Sequence, residues 1–125
     1  MNANAKKAQE IINGMAKYKP GQEVWCSEFI NGKPYVHTEL IGENVEIDTD
    51  FWEFVYYSDT GMEIGCEDKI FTSPIELILY HIKTLEENID GIKSNPFECN
   101  KHIIKTIQRQ IDAWKEAEKE FANYE

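Results

Sequence analysis

A chain of 125 residues, 42% hydrophobic and 12% aromatic, is long enough to bury a core and too apolar to be disordered over most of its length. Its formal net charge of −10 opposes phosphate-rich partners, so direct binding to nucleic acid or to a membrane surface is not expected. No run approaches the roughly 18 apolar residues that cross a bilayer, and the start MNANAKKAQEIINGMAK has no apolar segment before a small-residue cleavage site, which together point to one cytoplasmic domain over 1–125.

Taken in chain order, Ala5, Ala8, Ile12 and Met15 recur at helical spacing and predict a helix over 3–17, closed by Asn13-Gly14 or by the Tyr18-Lys19-Pro20-Gly21 turn. Strand formers follow from 22 to 71. Glu23 to Ile30 and Tyr35 to Ile41 flank Asn31-Gly32, a hairpin signal because both residues tolerate positive φ. Val45-Glu46-Ile47 continues the pattern after Gly42, and a second hairpin runs from Phe51 to Tyr57, through Ser58-Asp59-Thr60-Gly61, to Met62–Cys66. Four or five short strands suggest a small twisted antiparallel sheet or barrel.

Thr72-Ser73-Pro74-Ile75-Glu76 announces a helix over 74–90, with Ser73 as N-cap, Pro74 at the first position and Glu76 completing a capping box. Ile75, Ile78, Leu79, Ile82, Leu85 or Glu86, and Ile89 would line one face, and Gly91 would stop it. Asn95-Pro96-Phe97-Glu98 repeats the cap order and opens a helix over 96–122, with Ile104, Ile107, Ile111, Trp114 and Phe121 in register. The short link predicts an antiparallel helical hairpin. The expected class is α+β: N-terminal helix, sheet or barrel, then helical hairpin.

The charge is concentrated in one stretch. From Gln22 to Asp68 stand twelve acids and a single base, Lys33. Carboxylates at alternating strand positions project in rows, and the expected partner-binding residues are Glu28, Glu39, Glu43, Glu46, Asp48, Asp50, Glu53, Tyr57, Asp59 and Glu63. Such a surface would mimic the backbone of DNA and occupy the basic surface of a protein that handles nucleic acid. The competing expectation is that the acids provide only solubility.

Catalytic motifs are missing from the sequence. Neither G-x-x-x-x-G-K-[ST] nor G-x-G-x-x-G occurs, and no G-x-S-x-G elbow supports a nucleophile. Cys99 and His102 are three apart on a predicted helix, and Cys26, Cys66, His37 and His81 are other conceivable ligands, but no C-x-x-C or H-E-x-x-H pair exists. The expectation is a protein that is not an enzyme and needs no cofactor or metal, a metal-dependent enzyme being the second alternative. Three scattered cysteines argue for reduced thiols and against a disulfide framework.

The segments Lys19-Pro20-Gly21-Gln22-Glu23-Val24-Trp25 and Asp68-Lys69-Ile70-Phe71-Thr72-Ser73-Pro74-Ile75-Glu76 resemble those of small phage and prophage accessory proteins. In these, an SH3-like barrel opened by a G-x-x-V-W/Y strand precedes an IF-T-S/K-x-E-E helix start. The resemblance covers about residues 18 to 85, and the long helical hairpin departs from it. It implies an acidic inhibitor of the anti-CRISPR or anti-defence type, acting by binding in the host cytoplasm without a cofactor. The alternative is an interaction module or homodimer paired through Ile104, Ile107, Ile111 and Trp114.

Overall fold

The computed structural model describes residues 3–94 and 100–124. Its elements are α1 (Ala3–Met15), β1 (Glu23–Ile30), β2 (Lys33–Leu40), β3 (Glu46–Asp48), β4 (Glu53–Tyr57), β5 (Glu63–Cys66), a 3₁₀ turn (Glu67–Lys69), α2 (Pro74–Lys93) and α3 (Asn100–Phe121). The class is α+β, as the sequence predicts. The five strands divide between two antiparallel sheets, β1-β2 and β3-β4-β5, instead of closing into one sheet or barrel. Outside these ladders the strand segments meet through the isolated bridges Trp25–Phe71 and Ile41–Ser58.

The chain packs as two compact units: Met1–Cys26 with Thr38–Thr72, and Ser27–His37 with Ser73–Glu125. The boundary runs through the β1-β2 hairpin, so neither unit is a continuous stretch of sequence.

In the first unit, Ala16, Tyr18, Val24, Ile41, Val45, Tyr56 and Ile70 form a buried cluster against which Ile12, Phe54 and Ile64 pack. Each large apolar side chain so buried contributes about 1.5–3 kcal/mol. The α1 helix adds little to this core, since Ile12 alone of its predicted face packs there while Met15 is exposed. Polar bonds hold it instead: Gln9 Nε2 donates to the Val45 carbonyl at 2.8 Å and Asn13 Nδ2 to the Glu43 carbonyl at 2.8 Å. Lys19 Nζ then donates to the carbonyls of Asn13, Gly14 and Ala16, closing the helix with a cation where the dipole favours one. The following turn uses Pro20 and Gly21 as such turns require, with Gly21 at φ 85°.

A buried phenol pair stiffens this core. The Tyr18 and Tyr56 rings meet edge to face at 5.4 Å, and Tyr18 Oη donates to the Ile70 carbonyl at 2.8 Å. Tyr56 Oη donates to Glu67 Oε1, which also accepts the Lys17 backbone N–H at 2.9 Å. Glu67 is therefore tied to the interior. Burial, then the hydrogen bond to the Glu67 carboxylate, push Tyr56 well above the usual tyrosine range.

In the second unit, Asn31 and Gly32 at φ 53° and 77° make the predicted hairpin turn. Ser73 caps α2 by accepting the Glu76 N–H at 3.4 Å, and Pro74 occupies its first turn, as the sequence predicts. Gly91 does not end α2. The helix continues to Lys93, and Ser94 Oγ donates to the Gly91 carbonyl at 2.7 Å. The buried face of α2 holds Pro74, Leu77, Ile78, Ile82 and Ile89, while Leu79 is exposed; that of α3 holds Ile111, Trp114 and Ala117. Trp114 stacks on His81 at 4.4 Å and meets Phe29 edge to face at 5.7 Å. His81 and Trp114 lie at similar distances along the chain from the α2–α3 link, as an antiparallel pair requires. The predicted start signal Asn95-Pro96-Phe97-Glu98, and Cys99, lie outside the described residues.

Candidate protein-interaction surface

The β3-β4-β5 sheet sorts its side chains by the two-residue period of a strand. Phe54 and Tyr56 point to the core, so Glu53, Val55 and Tyr57 point the other way. The register sets Glu46 opposite Val55 and Asp48 opposite Glu53 on one edge, and Cys66 opposite Val55 and Glu63 opposite Tyr57 on the other. A bulge between Tyr56 and Tyr57 shifts the last pair. Glu46, Asp48, Glu53 and Glu63 thus surround Val55, Tyr57 and Cys66 on one face.

Hydrogen bonds knit this face together. Tyr57 Oη donates to Glu46 Oε2 at 2.9 Å, and that bond, with burial and the charges of Glu46 and Glu63, raises the Tyr57 phenol above its ordinary value. The Cys66 thiol is pushed up to about 11, first by its hydrogen bond to Glu53, then by burial and the nearby carboxylates Glu53 and Asp68. A thiol held protonated this way is a poor nucleophile and a poor metal ligand at neutral pH. Cys26, which is buried, and Cys66 are both free thiols.

A groove of about 890 Å³ adjoins the face, lined by Glu43, Glu46, Tyr57 and Asp59 together with Pro20 and Leu40; none of its lining residues is basic. Its floor depends on Gly42, whose N–H donates to the Tyr57 carbonyl at 2.8 Å and where a Cβ would sit 2.5 Å from the Ser58 carbonyl oxygen. Only glycine permits that approach. The hollow of about 560 Å³ beside it has mixed charge, with Lys6, Glu10 and Glu43 in its lining.

Of the predicted partner-binding residues, Glu46, Asp48, Glu53, Tyr57 and Glu63 share the sheet face, and Glu43 and Asp59 meet Glu46 and Tyr57 in the groove. Asp50 stands exposed in the β3–β4 turn, its N–H donating to Asp48 Oδ1 at 2.9 Å. Glu39 is half-buried on β2 and lines neither face nor groove, and Glu28 belongs to the other unit. Among the described residues, no ion pair joins Glu43, Glu46, Asp48, Asp50, Glu53, Asp59 or Glu63 to a base.

Two residues escape the sequence pattern. Phe51 and Trp52 read as the start of a strand, but β4 begins at Glu53 and both lie in the turn, 73% and 80% exposed. The available signal was Asp48-Thr49-Asp50, whose first side chain closes an Asx turn.

Among the described residues no group of three or more His, Cys, Asp or Glu is placed to hold a metal ion. His37 stacks on Tyr35 at 4.8 Å, and His102 is exposed on α3. Among the same residues no helix is long and apolar enough to cross a membrane. No family model matches the chain, and no curated protein and no solved structure matches it.

Proposed function

We propose that the protein acts by binding, laying the acidic face of β3-β4-β5 and its adjoining groove on a basic protein surface, and that the surface is the cationic groove where a nucleic-acid-processing protein holds phosphates. Such a contact makes the protein an inhibitor by occupancy, with no chemistry of its own. The observation that carries this reading is the gathering of Glu46, Asp48, Glu53 and Glu63 on one sheet face, with Glu43 and Asp59 alongside and no base paired to any of them among the described residues. Strand geometry spaces such charges about 7 Å along a strand and about 5 Å across strands, a regular array of the kind a phosphate-binding groove is built to read. Like-signed fields of this type accelerate encounter with an opposite surface and fade with salt.

The homodimer reading has less to draw on. Ile111 and Trp114, which a helix-paired dimer would use, are already buried within one chain.

The test is a variant with Glu43, Glu46 and Glu63, all exposed, changed to lysine. A basic protein captured by the wild type should be released by duplex DNA and by about 0.5 M salt, where the Debye length shrinks to a few ångströms. The variant should bind it at least roughly tenfold more weakly while its circular dichroism is unchanged. Capture that ignores the charge reversal, the DNA and the salt would show that the acidic face is not the contact.

A further inference from the structure

The β3–β4 turn presents the two most exposed aromatic side chains of the described residues. Phe51 and Trp52 are 73% and 80% exposed, so neither ring contributes to the buried core. Asp48 pairs with Glu53 across the base of the turn, and Asp50 is held within it by its N–H bond to Asp48 Oδ1. Three carboxylates therefore belong to the same turn and strand ends as the two exposed rings. No lysine or arginine occurs in the chain between Lys33 and Lys69.

Trp52 also adopts φ 54°, a left-handed conformation that a bulky side chain rarely takes and that Gly or Asn would adopt at little cost. A residue kept in a strained conformation, with its ring in water, contributes nothing visible to the fold. Such outliers cluster at recognition sites.

The surroundings decide what the rings are for. A lipid surface carrying phosphates would meet Asp48, Asp50 and Glu53 and be repelled, and a second copy of the turn would bring like charges together. A guanidinium satisfies both features at once, because its plane stacks on an aromatic face while its edge donates to carboxylates. Arginine is also less strongly hydrated than lysine, so it loses less on leaving water for a ring.

We infer that Phe51 and Trp52 form the anchor of the acidic surface, an aromatic tip that takes arginine side chains of the partner between its rings and the carboxylates of Asp48, Asp50 and Glu53. This rests on the reading of the acidic face as a docking surface and adds the residue type it selects. The tip confers the preference for arginine; the sheet face confers attraction to any cation.

Oligo-arginine and oligo-lysine peptides of equal length serve as probes, with binding measured by calorimetry. The wild type should hold the arginine peptide several-fold more tightly than the lysine peptide. Changing Phe51→Ala and Trp52→Ala together should weaken the arginine peptide about tenfold and erase the preference, and Trp52→Tyr, which keeps a π-face, should restore most of it. Since both rings are exposed, the double variant should keep the wild-type circular dichroism. If the double variant binds the arginine peptide like the wild type, while Glu43→Lys, Glu46→Lys and Glu63→Lys abolish binding of both peptides, the anchor is wrong and the acidic face stands. If neither peptide binds the wild type, both ideas fall. A preference that survives loss of the rings also overturns the anchor.

Discussion

The two units of this chain meet water in different ways. The strand-rich unit carries twelve acids and five bases, the helical one eleven and eight. Along α3 the signs alternate closely, as in Lys115, Glu116, Glu118, Lys119 and Glu120, and Lys119 Nζ reaches Glu116 Oε1 at 3.1 Å. This is an ordinary solvated helix face. In the strand-rich unit, by contrast, Lys19 is spent on helix carbonyls and Lys17 Nζ lies 5.2 Å from the Tyr18 ring, and among the described residues no ion pair joins a base to the carboxylates of the sheet face. Mixed charge suffices for solubility, and the same chain uses it. The one-signed face is the feature that the proposed cationic partner would account for.

The contrast extends to how each unit is held together, and the largest expected effect tests this. The helical unit closes on a single large ring, Trp114, packed between His81 and Phe29. Trp114→Ala should cost about 3–5 kcal/mol, read as a lowered urea midpoint of the helical circular dichroism signal. A loss below about 1 kcal/mol would show that the ring is not the keystone of the helix pair and that the two units do not differ in this respect.

Local chemistry made much of this legible. The Ser73-Pro74-x-Glu76 start and the Asn31-Gly32 turn each follow from one backbone requirement that few residues meet, and both stand where the sequence puts them. The alternation of β4 likewise sets Glu53 and Tyr57 opposite Phe54 and Tyr56. What failed depended on contacts far apart in sequence. Met15 has the right spacing for a core, yet α1 is held by Gln9 and Asn13 through bonds to the carbonyls of Val45 and Glu43, which no periodicity reveals. Gly91 looks like a stop, but Ile89 is buried and Ile92 half-buried on either side of it, and their packing carries α2 another turn. The division into two sheets goes with Trp25 and Ile41 each making one isolated bridge, to Phe71 and Ser58, with no ladder there. Within the site, the charges were visible in the sequence and the aromatic tip was not, because an Asx turn displaced Phe51 and Trp52 from the strand.

Glycine sharpens the comparison at a smaller scale. In the strand-rich unit Gly42 lies against the backbone of Ser58, so Gly42→Ala should cost about 1–3 kcal/mol by forcing that backbone apart. In the helical unit Gly91 has open space where a Cβ would go and sits inside α2, so Gly91→Ala should raise stability by about 0.5–1 kcal/mol. Thermal melts of the two variants should move in opposite directions. A Gly42→Ala protein as stable as the wild type would mean that the groove floor yields, and the groove would then lose its claim to a fixed shape.

The smallest effect at neutral pH is also the one most specific to the strand-rich unit. Tyr56, Tyr57 and Cys66 all lie there, and in the folded chain each holds its proton to higher pH than an exposed group would. Between the unfolded and folded pKa values the folded state binds more protons, so stability falls as pH rises. Below about pH 7.5, where unfolded thiols and phenols are still protonated, the three contribute their full stabilisation and pH has no leverage through them. Above about pH 10 the unfolded tyrosines ionise freely, whereas ionising Tyr56 in the fold sets a buried phenolate beside the Glu67 carboxylate that its hydroxyl now serves. The urea midpoint should therefore decline from about pH 8 upward, first through Cys66 and then more steeply through the tyrosines. Tyr56→Phe removes the largest contributor, so its decline should be shallower than that of the wild type whatever its stability at neutral pH. Parallel slopes in the two proteins would show that the Tyr56 hydroxyl is not held by Glu67 and the protein interior, and that the strand-rich unit has no alkaline weakness of its own.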